Sequence, residues 1–154
     1  SYGESEDCLF ANVWVPKHRA GKLPVVVWIH GGGFIMRTGN FAGYWGDGLV
    51  TMREAPVLLV SFNYRLGIFG FYSSEDTGAN FALQDQQQLL RWTQQNIGAF
   101  GGDAGRVLLL GQSAGAMSVL CHLAAPSSRG LFQRAMASSP VGLHYRSPRD
   151  NAAF

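Results

Sequence analysis

A chain of 154 residues has the length of one ordinary domain with a real core. Hydrophobic residues make up 47% and charged residues only 14%, under the roughly 25% usual in soluble domains, which suggests a core piece cut from something larger. Net charge is +2 with the basic residues scattered, and no apolar stretch approaches the length of a bilayer span, so neither nucleic acid nor a transmembrane segment is expected.

In chain order, Leu9–Val15 tends towards alternation and reads as an antiparallel edge strand. Pro24–His30 and Val57–Asn63 are near-continuous Val/Leu/Ile runs, the pattern of strands buried on both faces of a parallel sheet. Between them, Ala42–Gly48 reads as a surface loop beside the glycine-rich segment at His30. Asn80–Ile97 is the clearest helix. Ala82, Leu89, Leu90, Thr93 and Ile97 form its apolar stripe, and Gln84, Gln87, Gln88, Arg91, Gln94 and Gln95 its wet face. Arg106–Gly111 is a further buried strand, a helix runs from Ser113 to before Pro126, and Arg134–Ser138 is the last strand. Alternating strands and helices define an α/β class with a parallel sheet, in which ligands sit at the carboxyl ends of strands. No internal repeat, long linker or N-x-[ST] acceptor interrupts it.

Two segments carry chemistry. Gly111-Gln112-Ser113-Ala114-Gly115 lies between a strand and a helix, which is the context of a G-x-S-x-G nucleophile elbow. Such a turn is tight, so glycines flank it and the Ser113 hydroxyl is thrust outward at a helix N-terminus. His30-Gly31-Gly32-Gly33-Phe34 follows the strand ending at Ile29 and suits a loop whose N–H groups bind an oxyanion. The expected donors are the amides of Gly32, Gly33 and Ala114, with Ser113 as nucleophile. A serine hydroxyl also needs a base. His18 in a basic turn, His30 in the glycine segment, His122 inside the elbow helix and His144 in the polar tail all lie outside the Ser, Asp/Glu, His order of α/β-hydrolases. Cys8 and Cys121 leave three alternatives open: mutual pairing, absent partners or free thiols. The chain starts at Ser1 with no basic-then-apolar leader, and an upstream signal peptide stays open.

From Ser5 to about Ser139 the chain resembles the type-B carboxylesterases, the carboxylesterase–cholinesterase–lipase group of the α/β-hydrolases. The matching blocks are Ser5-Glu6-Asp7-Cys8-Leu9 with Asn12-Val13-Trp14, Val27 to Phe34, Asn63-Tyr64-Arg65-Leu66-Gly67, Gly70-Phe71, and Asn80 with Leu83 and Asp85-Gln86. Asn96-Ile97, Phe100-Gly101-Gly102-Asp103, Ser113-Ala114-Gly115-Ala116 and Gly130-Leu131-Phe132 complete them. The resemblance implies an α/β-hydrolase fold, mostly parallel with helices on both faces. It also implies cofactor- and metal-free hydrolysis of a small-molecule or lipid ester through an acyl-enzyme on Ser113, and a secretory-pathway location. Arg65 and Asp85 resemble a structural ion pair, and Cys8 a cysteine that pairs with a partner further upstream. Residues 1–154 then form the amino-terminal part of a single catalytic domain, inactive alone, with the triad acid and histidine beyond Phe154. Two alternatives stand beside this one. Hormone-sensitive-lipase-like esterases share the His-Gly-Gly-Gly segment and elbow but not Ser5–Leu9, Asn63–Gly67 or Phe100–Asp103. Cholinesterase-like adhesion proteins keep the fold but generally lack a working nucleophile. Departures from the family pattern include Gln112, where cholinesterases carry glutamate, and Ala79 and Ala82, where glycines flank the asparagine. Ala104 replaces the usual proline, and Ser138-Ser139-Pro140 stands for Gln-Ser-Gly.

Overall fold

The computed structural model describes residues 5–142 except 19, 45, 53, 75 and 77. His144 therefore lies outside the described residues. Five strands form one sheet: β1 (Ala11–Trp14), β2 (Leu23–Ile29), β3 (Leu58–Phe62), β4 (Gly102–Gln112) and β5 (Arg134–Ser138). Their spatial order is β1-β3-β2-β4-β5. Only β1 runs antiparallel, pairing Ala11 with Phe62, and it forms the edge that its alternating sequence suggested. The rest of the sheet is parallel, as the Val/Leu/Ile runs required. In β4 the strand starts at Gly102 instead of Arg106. Its first residues, Gly102 to Gly105, hold two glycines and no apolar run, yet Gly102 pairs with Leu23 through a register irregularity.

The two faces of the sheet are covered differently. Val25, Val27, Ile29, Leu58, Val60, Phe62, Val107 and Leu109 point to one face and are fully or almost fully buried. They form a single cluster with Ala82, Leu90 and Ile97 from the α3 side (α3, Phe81–Asn96) and Val119 of α4 (Ala114–Ala124). Each such aliphatic side chain contributes about 1.5–3 kcal/mol relative to exposure. The opposite face is covered in part by the 42–50 segment. Ala42–Gly48 reads in the sequence as a surface loop; it does lie at the surface, with Gly46 the one buried residue among those described there, but helical turns take the place of the loop. Ala42–Tyr44 is a 3-10 turn and Asp47–Val50 a short helix, α1. Gly46 is buried so closely that a Cβ there would lie 2.7 Å from Trp14 Cγ. Tyr44 packs on Trp28 with ring centroids 5.3 Å apart. The physical reason is that bare aromatics on the second face, Trp14 and Trp28, need cover, and Tyr44 and Gly46 supply it.

A second correction concerns α3. Its apolar stripe is as expected and also holds Gln86, wholly buried between Ala82 and Leu90, while Gln87 and Gln94 of the expected wet face are partly buried. Gln94 donates to the carbonyls of Ala104 and Leu131 at 3.0 and 2.9 Å, closing the loops at the base of β4. Another short helix, α2 (Gly67–Phe71), joins β3 to α3. Here Arg65 makes a bidentate pair with Asp85, Nη2 to Oδ1 at 2.6 Å and Nε to Oδ2 at 2.8 Å, as the resemblance implied. The Arg65 amide adds a third bond to Asp85 Oδ2 at 3.1 Å, so the pair clamps the chain leaving β3 onto α3.

Candidate active site

The sheet order creates the site. After β2 the chain turns away towards β3, on one side, whereas β4 leads through α4 to β5 on the other. Neighbouring parallel strands whose connections diverge leave a crevice at their carboxyl ends. Ile29 and Gly111 are register partners at that end. The two chemistry-bearing segments of the sequence therefore emerge side by side.

Ser113 sits between β4 and α4 with φ 55 and ψ −121, a conformation that ordinary residues seldom adopt. It is held there from both sides: its amide donates to Ser138 O at 3.0 Å and its carbonyl accepts from Met117 N at 3.0 Å. The glycines permit this. A Cβ on Gly111 would lie 2.3 Å from Gly115 O, and one on Gly115 would lie 2.1 Å from Ile29 O. α4 thus starts in direct backbone contact with the end of β2. A Cβ on Gly31 would come within 3.2 Å of Ser113 Cβ and 2.8 Å of the Gln112 carbonyl, so the glycine loop rests on the elbow.

Within that loop, Gly32 has φ +115 and its Cβ position is occupied by the Met36 carbonyl oxygen, only 2.2 Å away. Gly33 follows at φ +64. The Gly32 carbonyl is turned inward and accepts from Ile35 N and Met36 N, both at 3.2 Å. Among the turn and loop backbone bonds of the described residues, none is donated by Gly32, Gly33 or Ala114. Ala114 is the first residue of α4, where the amide has no intrahelical acceptor and the helix dipole favours negative charge.

Of the described histidines, His30 and His122 are engaged elsewhere. His18 is exposed. His30 is fully buried, stacked on Tyr64 with centroids 4.4 Å apart. His122 is buried in a network that sequence reading missed. Its Nε2 donates to Gln86 Oε1 at 3.0 Å, and its Nδ1 accepts from Ser128 Oγ at 3.0 Å. Gln86 in turn donates to Ser118 Oγ at 3.1 Å, and Ser118 to Ala114 O at 3.2 Å. The available signal was position: residues 82, 86, 90 and 93 lie on one helical face, so Gln86 belongs to the core stripe. Cys8 and Cys121 do not pair with each other. No group of acidic, cysteine or histidine side chains suited to a metal ion occurs among the described residues. None of the described helices is long and apolar enough to cross a membrane.

Burial without a counter-charge lowers the His122 pKa from 6.5 to about 4 and also pushes His30 down. The folded pKa lies below the unfolded one, so the unfolded chain takes up the proton first as pH falls. This stability is complete above about pH 6.5 and lost progressively towards about pH 4. For His122 the expected loss between about pH 7.5 and about pH 5 is about 2 kcal/mol. Urea unfolding of the full-length protein at both pH values should show that drop, and His122→Gln should remove most of it. An unchanged pH dependence in the variant would show that His122 is not buried neutral.

A parallel-sheet hydrolase framework with an elbow serine at a strand end defines the class as an α/β-hydrolase. The family model "Carboxylesterase family" matches residues 1–152, and the chain belongs to that family. It is 49% identical over 142 residues to juvenile hormone esterase of Tribolium castaneum, covering 90% of this chain and 24% of that protein. Cholinesterase 1 of Branchiostoma lanceolatum is likewise 49% identical over 141 residues, 90% of this chain and 39% of that protein. Among solved structures, a pnb esterase superposes with a TM-score of 0.91 at 40% identity, covering 97% of this chain and 31% of that one. The chain thus spans about a quarter to two fifths of the length of these relatives.

Proposed function

We propose that this chain is the amino-terminal part of a single carboxylesterase domain that hydrolyses carboxylic esters through an acyl-enzyme on Ser113. The observation that carries the reading is the strained Ser113 backbone, φ 55 and ψ −121, at the carboxyl end of β4 with Gly31 packed against it. In this reading Ser113 Oγ attacks the ester carbonyl carbon while a histidine outside residues 1–154 takes its proton. The acid that orients this histidine lies outside them too. The carbonyl oxygen becomes an anion and is met by the amides of Gly32, Gly33 and Ala114. Collapse expels the alcohol, protonated by the histidine, and water then releases the acid by the reverse steps. The substrate is a small-molecule or lipid ester. Relatives bearing esterase and lipase names support that class without selecting a member of it. The 154 residues alone would lack the base.

The test is Gly33→Val in the full-length enzyme with a short-chain p-nitrophenyl ester. A Cβ at Gly33 meets nothing closer than Ile35 Cγ1 at 3.8 Å, so crowding by protein is not the issue. The issue is φ +64, which a β-branched residue strongly disfavours. Relief of that strain rotates the amide away from the oxyanion. The expected result is a fall in kcat of about 10²-fold with KM within a few-fold, as for loss of one oxyanion donor. A change confined to KM would mean that this amide does not stabilise the transition state.

A further inference from the structure

The strongest unassigned feature is a pair of side chains behind the glycine loop, His30 and Tyr64. Both are almost completely buried, 0% and 2% exposed, and neither reaches the crevice through a polar contact with Ser113. Their hydrogen bonds go instead to two successive peptide units at the loop entrance. Tyr64 Oη donates to the His30 carbonyl at 2.7 Å. His30 Nδ1 lies 2.7 Å from the Gly31 carbonyl oxygen.

The partner fixes the tautomer. A carbonyl oxygen only accepts, so the proton must be on Nδ1. Nε2 is then a bare lone pair, and it is buried with no hydrogen-bond partner. The other tautomer would set two lone pairs against each other at Nδ1 and bury an unsatisfied N–H at Nε2. The imidazolium would bury that same N–H with a charge on it. A neutral Nδ1–H ring is the only form that suits this geometry.

The bonded carbonyl belongs to the peptide unit whose N–H is that of Gly32. No described peptide bond is cis, so carbonyl and amide of this unit point in opposite directions. Drawing the Gly31 carbonyl onto the buried ring therefore turns the Gly32 N–H away from it. A donor on the carbonyl also polarises the peptide and strengthens its N–H as a donor at the other end. The Tyr64 bond fixes the preceding unit, whose carbonyl stands close to α4: a Cβ on Gly115 would lie 2.9 Å from His30 O.

Resting on the proposed esterase reading, we propose that His30 and Tyr64 are positioning residues of the oxyanion site. Tyr64 sets the 30–31 peptide, and His30 sets and polarises the 31–32 peptide so that Gly32 N–H meets the developing oxyanion. Neither touches the substrate. They act through backbone that glycine would otherwise leave free to rotate.

The experiment uses the full-length enzyme and compares His30→Leu, His30→Asn and Tyr64→Phe. Steady-state kinetics on a p-nitrophenyl ester are paired with inhibition by a trifluoromethyl ketone, whose serine adduct carries an oxyanion. His30→Leu is expected to lower kcat by about 10²-fold, the range for losing one oxyanion donor. Asparagine can place an N–H near the position of Nδ1, so His30→Asn should recover at least tenfold of that. Tyr64→Phe keeps the stacked ring and loses one bond, for about a three- to tenfold fall in kcat. KM should stay within a few-fold, and ketone affinity should fall in step with kcat across the series. If His30→Leu gives no cooperative melt, the other two variants carry the test. The proposal is overturned if Tyr64→Phe and His30→Leu keep kcat within twofold of wild type, or if His30→Asn is no better than His30→Leu. It is equally overturned if ketone affinity does not follow kcat. A wild-type enzyme that turns over no ester would instead reject the functional reading on which the proposal rests.

Discussion

Ser113→Ala in the full-length protein is expected to lower kcat for ester hydrolysis by on the order of 10⁶, the scale seen when a triad nucleophile is removed. The fold should survive. Alanine at φ 55 and ψ −121 carries the same Cβ as serine, and the two bonds that hold the elbow, to Ser138 O and from Met117 N, are backbone bonds. Turnover should not reach zero, because the amides of Gly32, Gly33 and Ala114 would remain. Oxyanion donors and binding alone can leave about 10³–10⁴ over the reaction in water. Steady-state assay beside a thermal melt is the check. A loss under tenfold at unchanged melting temperature would remove Ser113 from the chemistry.

Gly115→Ala is expected to have the largest effect on folding. The added methyl would stand 2.1 Å from Ile29 O, 2.8 Å from Ile29 C and 2.9 Å from His30 O. All three are backbone atoms, and Ile29 closes the hydrogen-bonded register of β2 with β4. Neither partner is a flexible side-chain end, so α4 must lift off the sheet or the strand must shift. A cost of roughly 3 kcal/mol or more follows, at the upper end for overpacking. Gly98→Ala is the matched control, since nothing lies within 4 Å of its Cβ position and its φ is not positive. It should change stability by no more than about 0.5 kcal/mol. Urea unfolding of both variants decides the matter. Equal midpoints for the two would mean that the elbow is looser than described.

Legibility in the sequence followed the range of the interactions. The elbow was readable because its determinants are consecutive: an apolar strand, two glycines at a fixed spacing and a helix start. The parallel strands were readable because Val25–Ile29 and Leu58–Phe62 show their burial in their own composition. What escaped depends on partners far along the chain. Gln86 shows its core position by its place on the α3 stripe but not its partner, His122, 36 residues away. The loop role of Tyr64 needs His30, 34 residues earlier. Nothing local favours a strand at Gly102–Gly105, and the partner of Gly102 there, Leu23, lies far earlier in the chain. The helical turns of the 42–50 segment escape for a related reason. Its glycines suggest a loop, whereas Trp14 and Trp28, the surfaces it covers, lie elsewhere in the chain.

The central claim is that Ser113 is the nucleophile, and covalent trapping tests it most directly. Full-length protein is treated with a fluorophosphonate, its intact mass is measured, and the labelled peptide is located by fragmentation. The expected result is one adduct per chain, on the peptide carrying Ser113, appearing as esterase activity disappears and absent from Ser113→Ala. An adduct that persists in Ser113→Ala, or activity lost through labelling at another residue, would contradict the account.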